Sequence, residues 1–382
     1  MLIPSQHRIR PRVIYWNNIP APYMVERFNA VVRRGNIDLE AWFNDRTEAN
    51  RSWAVEEATW EFPFRYLPAA RFRKRRWILP SPLLRARPDL LVSLYAEPSF
   101  VLGGLVAHAR RIKTAYWVEV TFDAWVPRKW WKEALKRFLF HRLDGVITAG
   151  PDGRAFAQRY GARVECIHEA RHTIDVGHFV RGSERARTHR DTIRSQHGLS
   201  GVTFIYVGRL WSGKGLDYLL RAYADLCRTV PDTSLFLVGD GPEEAHLRRR
   251  CDQEGIINVV FAGFHPKEAL PALYSAADVF VFPTLGDPYG LVVDEAMACS
   301  LPIVATTATG EIDLRVADGK NGFVVAPADA AALQDRMCLL ARSPALRGEM
   351  GKASRAMIEG NTPERWAEDF ERAVGQILAR EP

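Results

Sequence analysis

Short apolar segments alternate with longer amphipathic segments along most of this chain, and this alternation restricts the possible folds severely. Helix-like stretches such as 25–33 and 99–111 lie between several of the apolar segments. Strand–helix alternation is typical of parallel sheets that are covered by helices on both faces. The predicted strands are 13–16, 39–43, 90–94, 114–118, 145–148, 203–207, 234–238, 259–261, 279–282 and 303–305. We therefore predict an α/β protein.

The chain has 382 residues, which is more than one ordinary hydrophobic core accommodates. A polar, basic segment with several glycines lies between about residues 179 and 201, and a new set of motifs starts after it. We predict an N-terminal domain over 1–180, a C-terminal domain over 181–361, and a final helix over 362–382 that packs back on the N-terminal domain. Two Rossmann-like, doubly wound domains would face a central cleft, with the chemistry in the loops after their strands.

The positive charge is concentrated in the first half of the chain. Residues 1–180 contain 29 Lys and Arg against 18 Asp and Glu, a net +11, whereas the whole chain carries +7. Two basic segments, 71–88 and 127–142, also contain aromatic residues, among them Trp130, Trp131 and Phe138. Such segments are typical of peripheral contact with anionic lipid head groups. A solvated charge run, a core-facing helix stripe and nucleic-acid binding are the alternatives, and we expect no nucleic-acid partner.

The five cysteines are odd in number and widely spaced, which predicts reduced, buried thiols in a cytoplasmic protein. The N-terminal segment does not resemble a signal peptide, and no apolar run is long enough to span a membrane. Asp-x-Asp, His-Glu-x-x-His and Cys/His metal-binding spacings are absent. We therefore expect no metal and no cofactor, and localisation in the cytoplasm or at the inner face of the membrane.

The segment FIYVGRLWSGKG, residues 204–215, combines a strand end with glycines and two cations. Gly208 permits a close backbone turn, Arg209 follows it directly, and Lys214 comes before the next helix. A guanidinium and an ammonium at such a junction suit a pyrophosphate. A surface loop with solvated charges is the other interpretation. In the later segment VGDGP, residues 238–242, the glycines are explained by turn formation before a helix, although they also permit close approach of a nucleotide.

The strongest motif is FPTLGDPYGLVVDEAMACSLPIVAT, residues 282–306. A strand ends, a glycine-containing loop follows, and a helix begins near Leu291, so the amides of Gly290 and Leu291 form a potential anion site. Asp287 lies in the loop, and Glu295 lies one turn into the helix. A carboxylate is a suitable acceptor for a ribose diol. Alternatively, Asp287 caps the helix and Asp294 and Glu295 are solvated.

These segments, in this order and spacing, resemble the retaining glycosyltransferases of family 4, also called group 1, which have the GT-B fold. The resemblance is dense from residue 204 to residue 325, where GRL, KG, VGDGP, D-x-Y-G, E-A-M-A and ADGKNGFVV occur in the family's order. It is looser in the first half, where NIPAPY, ITAGPDG and HTIDVGHF carry it. The resemblance implies a hexosyltransferase that takes a nucleotide-sugar, UDP- or GDP-linked, and needs no metal.

The resemblance also implies roles for particular residues. Arg209 and Lys214 would bind the donor diphosphate and stabilise the leaving group, Glu295 would hold the ribose, and Asp287 would replace the family's usual Glu near the donor sugar. The other donor-binding positions would be Gly208, Phe264, His265, Tyr289, Gly290 and Leu291. The chain departs from the family at Ser300, where glycine is usual, and at 309–311, where a Gly-Gly pair is common.

The acceptor side of the site is predicted in the first half. The family places a His or an acid after the fifth strand, and here Glu119 or Asp123 fills that place, with Glu119 preferred because it follows the strand end directly. A solvated loop acid is the alternative. The predicted reaction transfers the sugar with retention of configuration to a glycan or lipid-linked acceptor, as in lipopolysaccharide or other polysaccharide biosynthesis. A nucleotide-sugar epimerase or hydrolase of the same fold, or a noncatalytic binding protein, is the competing hypothesis.

Overall fold

A computed structural model describes residues 10–47, 55–72, 75–93, 98–119 and 130–380. The chain divides into two compact units. The first unit ends at Arg171 but also includes the chain from Pro363 onward, and the second unit contains His172–Thr362. The predicted boundary at residue 180 falls inside a helix of the second unit, Val176–Arg187.

The first unit is built on a seven-stranded parallel sheet with the order β3-β2-β1-β6-β7-β8-β9, and a separate antiparallel hairpin, β4-β5, accompanies it. The strands are β1 Arg12–Asn17, β2 Asp38–Phe43, β3 Phe64–Tyr66, β4 Ala69–Phe72, β5 Arg75–Ile78, β6 Leu90–Ser93, β7 Lys113–Val118, β8 Gly145–Thr148 and β9 Ile167–Glu169. The helices are α1 Pro22–Arg34, α2 Leu83–Ala86, α3 Pro98–Ala109, α4 Trp130–Phe140, α5 Pro151–Arg159 and the C-terminal helix Pro363–Ala379.

Alternate residues of the central strands fill two separate layers of the first unit, because successive strand side chains point to opposite faces. Trp16 contacts Phe100 of α3 at a ring distance of 4.8 Å. On the other face, Trp117 contacts Trp366 of the C-terminal helix at 5.6 Å. The C-terminal helix also packs along α1. The last helix of the chain therefore supplies part of the core of the unit that the N-terminal residues begin.

The second unit is built on a six-stranded parallel sheet with the order β12-β11-β10-β13-β14-β15, the order of a Rossmann sheet. The strands are β10 Val202–Val207, β11 Thr233–Val238, β12 Val259–Gly263, β13 Val279–Phe282, β14 Ile303–Thr306 and β15 Gly322–Val325. The helices, numbered on from α5, are α6 Val176–Arg187, α7 Arg190–Gln196, α8 Leu216–Thr229, α9 Glu244–Glu254, α10 Leu270–Ala276, α11 Leu291–Ala298, α12 Ala330–Arg342 and α13 Pro344–Ile358, and the C-terminal helix is α14.

The glycines of VGDGP bring two loops together. Gly239 and Gly241 have positive φ angles of 132° and 158°, and a Cβ on either would lie within 2.1 Å of a carbonyl oxygen in the loop after β10. The amide of Leu210 donates to the carbonyl of Asp240 at 2.7 Å. The positive φ angles agree with the turn-forming interpretation. The glycines also let the loops after β10 and β11 pack backbone to backbone, which fixes the chain on both sides of Arg209.

The prediction of two parallel α/β sheets is confirmed, and each of the ten predicted strands is present within two residues of its expected ends. None of the described helices combines the length and apolar character needed to cross a membrane. The five cysteines are free thiols; Cys227 is half-buried and the others are buried.

Candidate functional site

Several of the predicted site residues of the second unit gather around the loops that follow β10 and β13, which are neighbouring strands. Lys214 ends a short 3-10 turn after β10, and its ammonium forms an ion pair with the carboxylate of Asp287 in the β13 loop, residues 283–290. Their side chains are only 14% and 15% exposed. The Lys214 ammonium also lies 5.3 Å from the ring centre of Phe282. The structure thus brings together two residues that are 73 positions apart in the chain.

Hydrogen bonds fix both the backbone and the side chain of Asp287. Its other carboxylate oxygen accepts a hydrogen bond from the amide of Tyr289 at 2.9 Å. Its amide donates to Ala308 at 3.0 Å, and its carbonyl accepts from Gly310 at 2.8 Å, both in the β14 loop, residues 307–311. Asp287 therefore does not cap α11 as the alternative interpretation expected. It closes a turn two residues long and ties the β13 and β14 loops together.

Helix α11 starts directly after this loop. Gly290 precedes its first residue with φ at 71°, and a Cβ there would lie 2.7 Å from the ring of Phe282. No side chain caps the helix. The amides of Leu291 and Val292 have no partner inside the helix and lie at its positive dipole end. The start of α11 is therefore suited to an anion, as predicted.

Glu295 lies one turn into α11 and is half-buried. Its carboxylate accepts a hydrogen bond from the hydroxyl of Tyr274, on α10, at 2.9 Å. Burial raises the pKa of Glu295 to about 7, and neighbouring Asp294 adds to the rise, whereas the Tyr274 hydroxyl and the charge of Lys267 oppose it. Glu295 is therefore held by a fixed partner and titrates near neutral pH, which is unusual for a solvated surface acid.

The remaining predicted residues occupy the same edge of the sheet. Gly208 and Arg209 follow β10, and within the described ranges the exposed Arg209 side chain has no hydrogen-bond or ion-pair partner. Phe264 and His265 follow β12, with Phe264 exposed and His265 half-buried. Tyr289 is buried, and its hydroxyl donates to the carbonyl of His172 at 3.2 Å. Tyr289 is thus part of the packing beneath the loop.

Comparison with known proteins decides the family. A family model described as glycosyl transferases group 1 matches residues 189–357. The GDP-mannose-dependent alpha-(1-6)-phosphatidylinositol monomannoside mannosyltransferase of Mycolicibacterium smegmatis is 38% identical over 301 residues, which cover 73% of this chain and 76% of that protein. This chain belongs to the group 1 glycosyltransferases. The resemblance noted in the sequence is therefore confirmed, and the chain is a sugar-transferring enzyme.

Two further comparisons support the family and the fold of this glycosyltransferase. The D-inositol 3-phosphate glycosyltransferase of Corynebacterium jeikeium is 32% identical over 220 residues, which cover 54% of this chain but only about half, 51%, of that protein. The structure of Anabaena Alr3699/HepE in complex with UDP superposes with a TM-score of 0.77 at 17% identity, covering 95% of this chain and 99% of that one. At that identity the likeness establishes the two-domain fold.

The sequence of this glycosyltransferase did not single out Arg315, which pairs with Asp294. Both side chains are completely buried, and the Arg315 guanidinium lies 3.3 Å from the Asp294 carboxylate. The alternative interpretation of Asp294 as a solvated acid is therefore wrong. No local signal identifies the pair, because the two residues are 21 positions apart in the chain.

Both departures of this glycosyltransferase from the family's glycines fall at left-handed backbone positions. Ser300 has φ at 61°, and Glu311 has φ at 55°. A side chain in that region costs roughly 1–2 kcal/mol relative to its preferred conformation, which is the physical reason why glycine is usual there.

In the first unit of the glycosyltransferase, Glu119 follows β7 directly, as predicted. Burial raises its pKa, whereas the charge of Arg27 and a hydrogen bond from Tyr23 oppose the rise. The alternative residue, Asp123, lies outside the described residues. In the ranges that the structure describes, no three His, Cys, Asp or Glu side chains are grouped as a metal site would require.

Proposed function

We propose that this glycosyltransferase moves a hexose from a nucleotide-sugar donor to a glycan or lipid-linked acceptor, with retention of anomeric configuration and without a metal ion. One observation carries the proposal: the Lys214–Asp287 pair lies at the loop that leads into the uncapped start of α11, with Glu295 one turn further on. This arrangement offers a cation, oriented amides and a carboxylate at one edge of a parallel sheet, where such sheets bind nucleotides.

The proposed chemistry follows from the charges that the reaction creates. Breaking the anomeric C–O bond develops oxocarbenium character on the sugar and negative charge on the departing diphosphate. Lys214, the α11 amides and the exposed Arg209 would stabilise that negative charge. Gly208 permits the close backbone approach, and Phe264 and His265 would line the base. Glu295 would accept hydrogen bonds from the ribose hydroxyls.

Donor binding would have to change the contacts of the Asp287 carboxylate. One of its oxygens is engaged by Lys214 and the other by the Tyr289 amide in this structure. When a diphosphate draws the Lys214 ammonium toward itself, one carboxylate oxygen of Asp287 becomes available to a hydroxyl of the donor sugar. The acceptor hydroxyl would then attack from the face on which the diphosphate leaves, with Glu119 or Asp123 assisting on the acceptor side.

The name of the mycobacterial relative gives the first substrates to test. That protein is GDP-mannose-dependent and acts on a phosphatidylinositol monomannoside, and the Anabaena structure holds UDP. We propose a GDP- or UDP-hexose as donor and a lipid-linked saccharide as acceptor. Nothing in the comparisons points to the epimerase, hydrolase or binding-protein alternatives.

Purified protein should distinguish these possibilities in one assay. GDP-mannose, UDP-glucose and ADP-glucose would each be incubated with and without a phosphatidylinositol mannoside acceptor, in the presence of EDTA. We expect one donor to be consumed only when acceptor is present, to give an axial, retained linkage by NMR, and to raise the melting temperature by mass action. Donor consumption without acceptor would favour the hydrolase or epimerase. Binding without turnover would favour the binding protein.

Peripheral membrane contact through the first unit is part of the proposal. On α4, Trp130 is 83% exposed and Phe138 is 49% exposed, and the Arg142 guanidinium lies 3.8 Å from the Phe138 ring centre. Aromatic residues beside cations are suited to the head-group region of an anionic bilayer. Residues 127–129, the side chains of 71–77 and the side chain of Trp131 lie outside the described part.

Vesicle flotation tests this contact. We expect Trp130→Ser/Phe138→Ser to lower binding to phosphatidylglycerol vesicles by about tenfold, because two apolar anchors are lost. The matched control is Ile257→Ser/Leu339→Ser, which alters two exposed apolar residues of the second unit. Equal binding of both double variants would remove the membrane proposal without affecting the proposed transfer reaction.

A further inference from the structure

The buried guanidinium of Arg315 joins the two loops that surround the start of α11. It donates to Gly290 at 3.0 Å, and also to Tyr289, in the β13 loop. It donates to Gly310 at 2.7 Å and to Glu311 at 3.4 Å in the β14 loop. With the carboxylate of Asp294 at 3.3 Å, it has five acceptors, which matches the five N–H groups of a guanidinium.

The direction of these bonds matters for the site. A peptide whose carbonyl points inward to Arg315 presents the amide of the same peptide plane outward, because the C=O and N–H of a planar trans peptide are antiparallel. The carbonyls of Tyr289 and Gly290 belong to the peptides that contain the amides of Gly290 and Leu291. Arg315 therefore fixes the orientation of the same amides that were assigned to the diphosphate.

The packing around Arg315 supports a rigid role. Its side chain is fully buried, and its guanidinium lies 4.1 Å from the ring centre of Tyr289. Asp294, which balances its charge, is itself on α11. The guanidinium thus connects the loop before the helix, the helix itself and the β14 loop into one arrangement.

We propose that Arg315 is a positioning residue for sugar transfer: it aims the Gly290 and Leu291 amides at the leaving diphosphate without touching the substrate. This inference rests on the proposed function of the site. Oriented amides stabilise the charge that develops in the transition state more than they stabilise bound donor. Loss of Arg315 should therefore lower kcat by a larger factor than it raises the donor KM.

The conservative variant Arg315→Lys keeps the charge but offers three donors instead of a planar fork of five. We expect its kcat to fall about 20-fold and its donor KM to rise by no more than about threefold. The matched control is Arg194→Lys. Arg194 also joins buried groups, donating to Ala276 at 3.0 Å and pairing with Asp278 at 3.4 Å, but at the opposite, amino-terminal edge of the sheet. Its kinetics should match the wild type.

A double variant separates positioning from simple stabilisation. In Arg315→Met/Asp294→Leu both buried charges are removed, so no uncompensated carboxylate remains, and such replacements are frequently neutral for stability. We expect a folded protein with the same loss of kcat as Arg315→Lys. Recovery of wild-type kinetics in the folded double variant would overturn the proposal, because Arg315 would then contribute only to stability.

Amide hydrogen exchange measures local opening of the β13 and β14 loops without any substrate. Amides in peptides covering 285–293 and 307–313 should exchange about fivefold faster in Arg315→Lys than in Arg194→Lys, because local opening becomes easier. Unchanged exchange would contradict the proposal. If the wild-type protein transfers no sugar, the proposed function fails, and the exchange comparison alone decides whether Arg315 orients these loops.

Discussion

The Lys214→Ala variant is expected to transfer sugar roughly 1,000-fold more slowly than the wild-type protein, because one preorganised donor to a developing anion is typically worth 10²–10³ in kcat. The loss has a second source in this structure. Lys214 neutralises Asp287, and both are largely buried. Without the ammonium, the carboxylate of Asp287 would face the incoming diphosphate with the same sign of charge. Steady-state kinetics with saturating acceptor measure the effect.

Stability must be controlled in this experiment. Removing one partner of a buried ion pair costs about 3–5 kcal/mol, so the single variant should also melt at a lower temperature. The double variant Lys214→Ala/Asp287→Asn removes both charges and should regain most of the lost melting temperature, but little of the lost activity. Lys352→Ala, an exposed lysine on α13, is the neutral control. Retention of more than half of the activity in the double variant would show that Lys214 does not hold the diphosphate.

The second large effect is expected at Glu295. The Glu295→Ala variant should raise the donor KM about 10–100-fold, since hydrogen bonds to a charged acceptor contribute about 1.5–3 kcal/mol. Because the pKa of this carboxyl is about 7 in the folded protein, it is mostly protonated at pH 6 and mostly ionised at pH 8. Wild-type donor affinity should therefore rise about tenfold between these values. Isothermal titration calorimetry across this range measures the rise.

The Glu295→Gln variant resembles the protonated carboxyl and should lose that dependence. The stability of the folded wild-type protein should change with pH in the direction opposite to its donor affinity. The folded pKa lies above the ordinary value of 4.5, so the folded state retains a proton that the unfolded chain releases between pH 4.5 and about 7. The contribution of Glu295 to stability thus declines as pH rises through that window. We expect Glu295→Gln to unfold at higher denaturant than the wild type at pH 8 and at the same denaturant below pH 4.5. A pH-independent difference would contradict the raised pKa.

The sequence predicted the strands that are continuous apolar runs, because a central parallel strand is buried on both faces. It did not reveal β9, which has only three residues and contains His168 and Glu169, or β15, which begins with Gly322. These segments become strands because a neighbouring strand already offers hydrogen bonds, as β14 does for β15. Such tertiary stabilisation leaves little pattern in the sequence.

Some features of the candidate site could likewise be predicted from the sequence, and others could not. Lys214, Gly290 and Glu295 follow from local motifs, because strand ends, glycine loops and helix starts are visible in the sequence. The ion pair of Lys214 with Asp287 and the burial of Asp294 against Arg315 depend on which loops become neighbours. A charge pattern along the chain holds no information on those partners, so the sequence indicated the chemistry of the site but not its internal connections.

Helix α14 has a consequence for the order in which the protein forms during translation. It buries Trp366, Phe370 and Ile377 in the first unit, where the ring centres of Phe370 and Tyr15 are 6.2 Å apart. A nascent chain that has emerged only as far as residue 362 contains all of His172–Thr362 but lacks α14. The sheet face of the first unit that carries Tyr15 and Trp117 is then still exposed to solvent. The unit synthesised first is therefore completed only after residues 363–379 have left the ribosome.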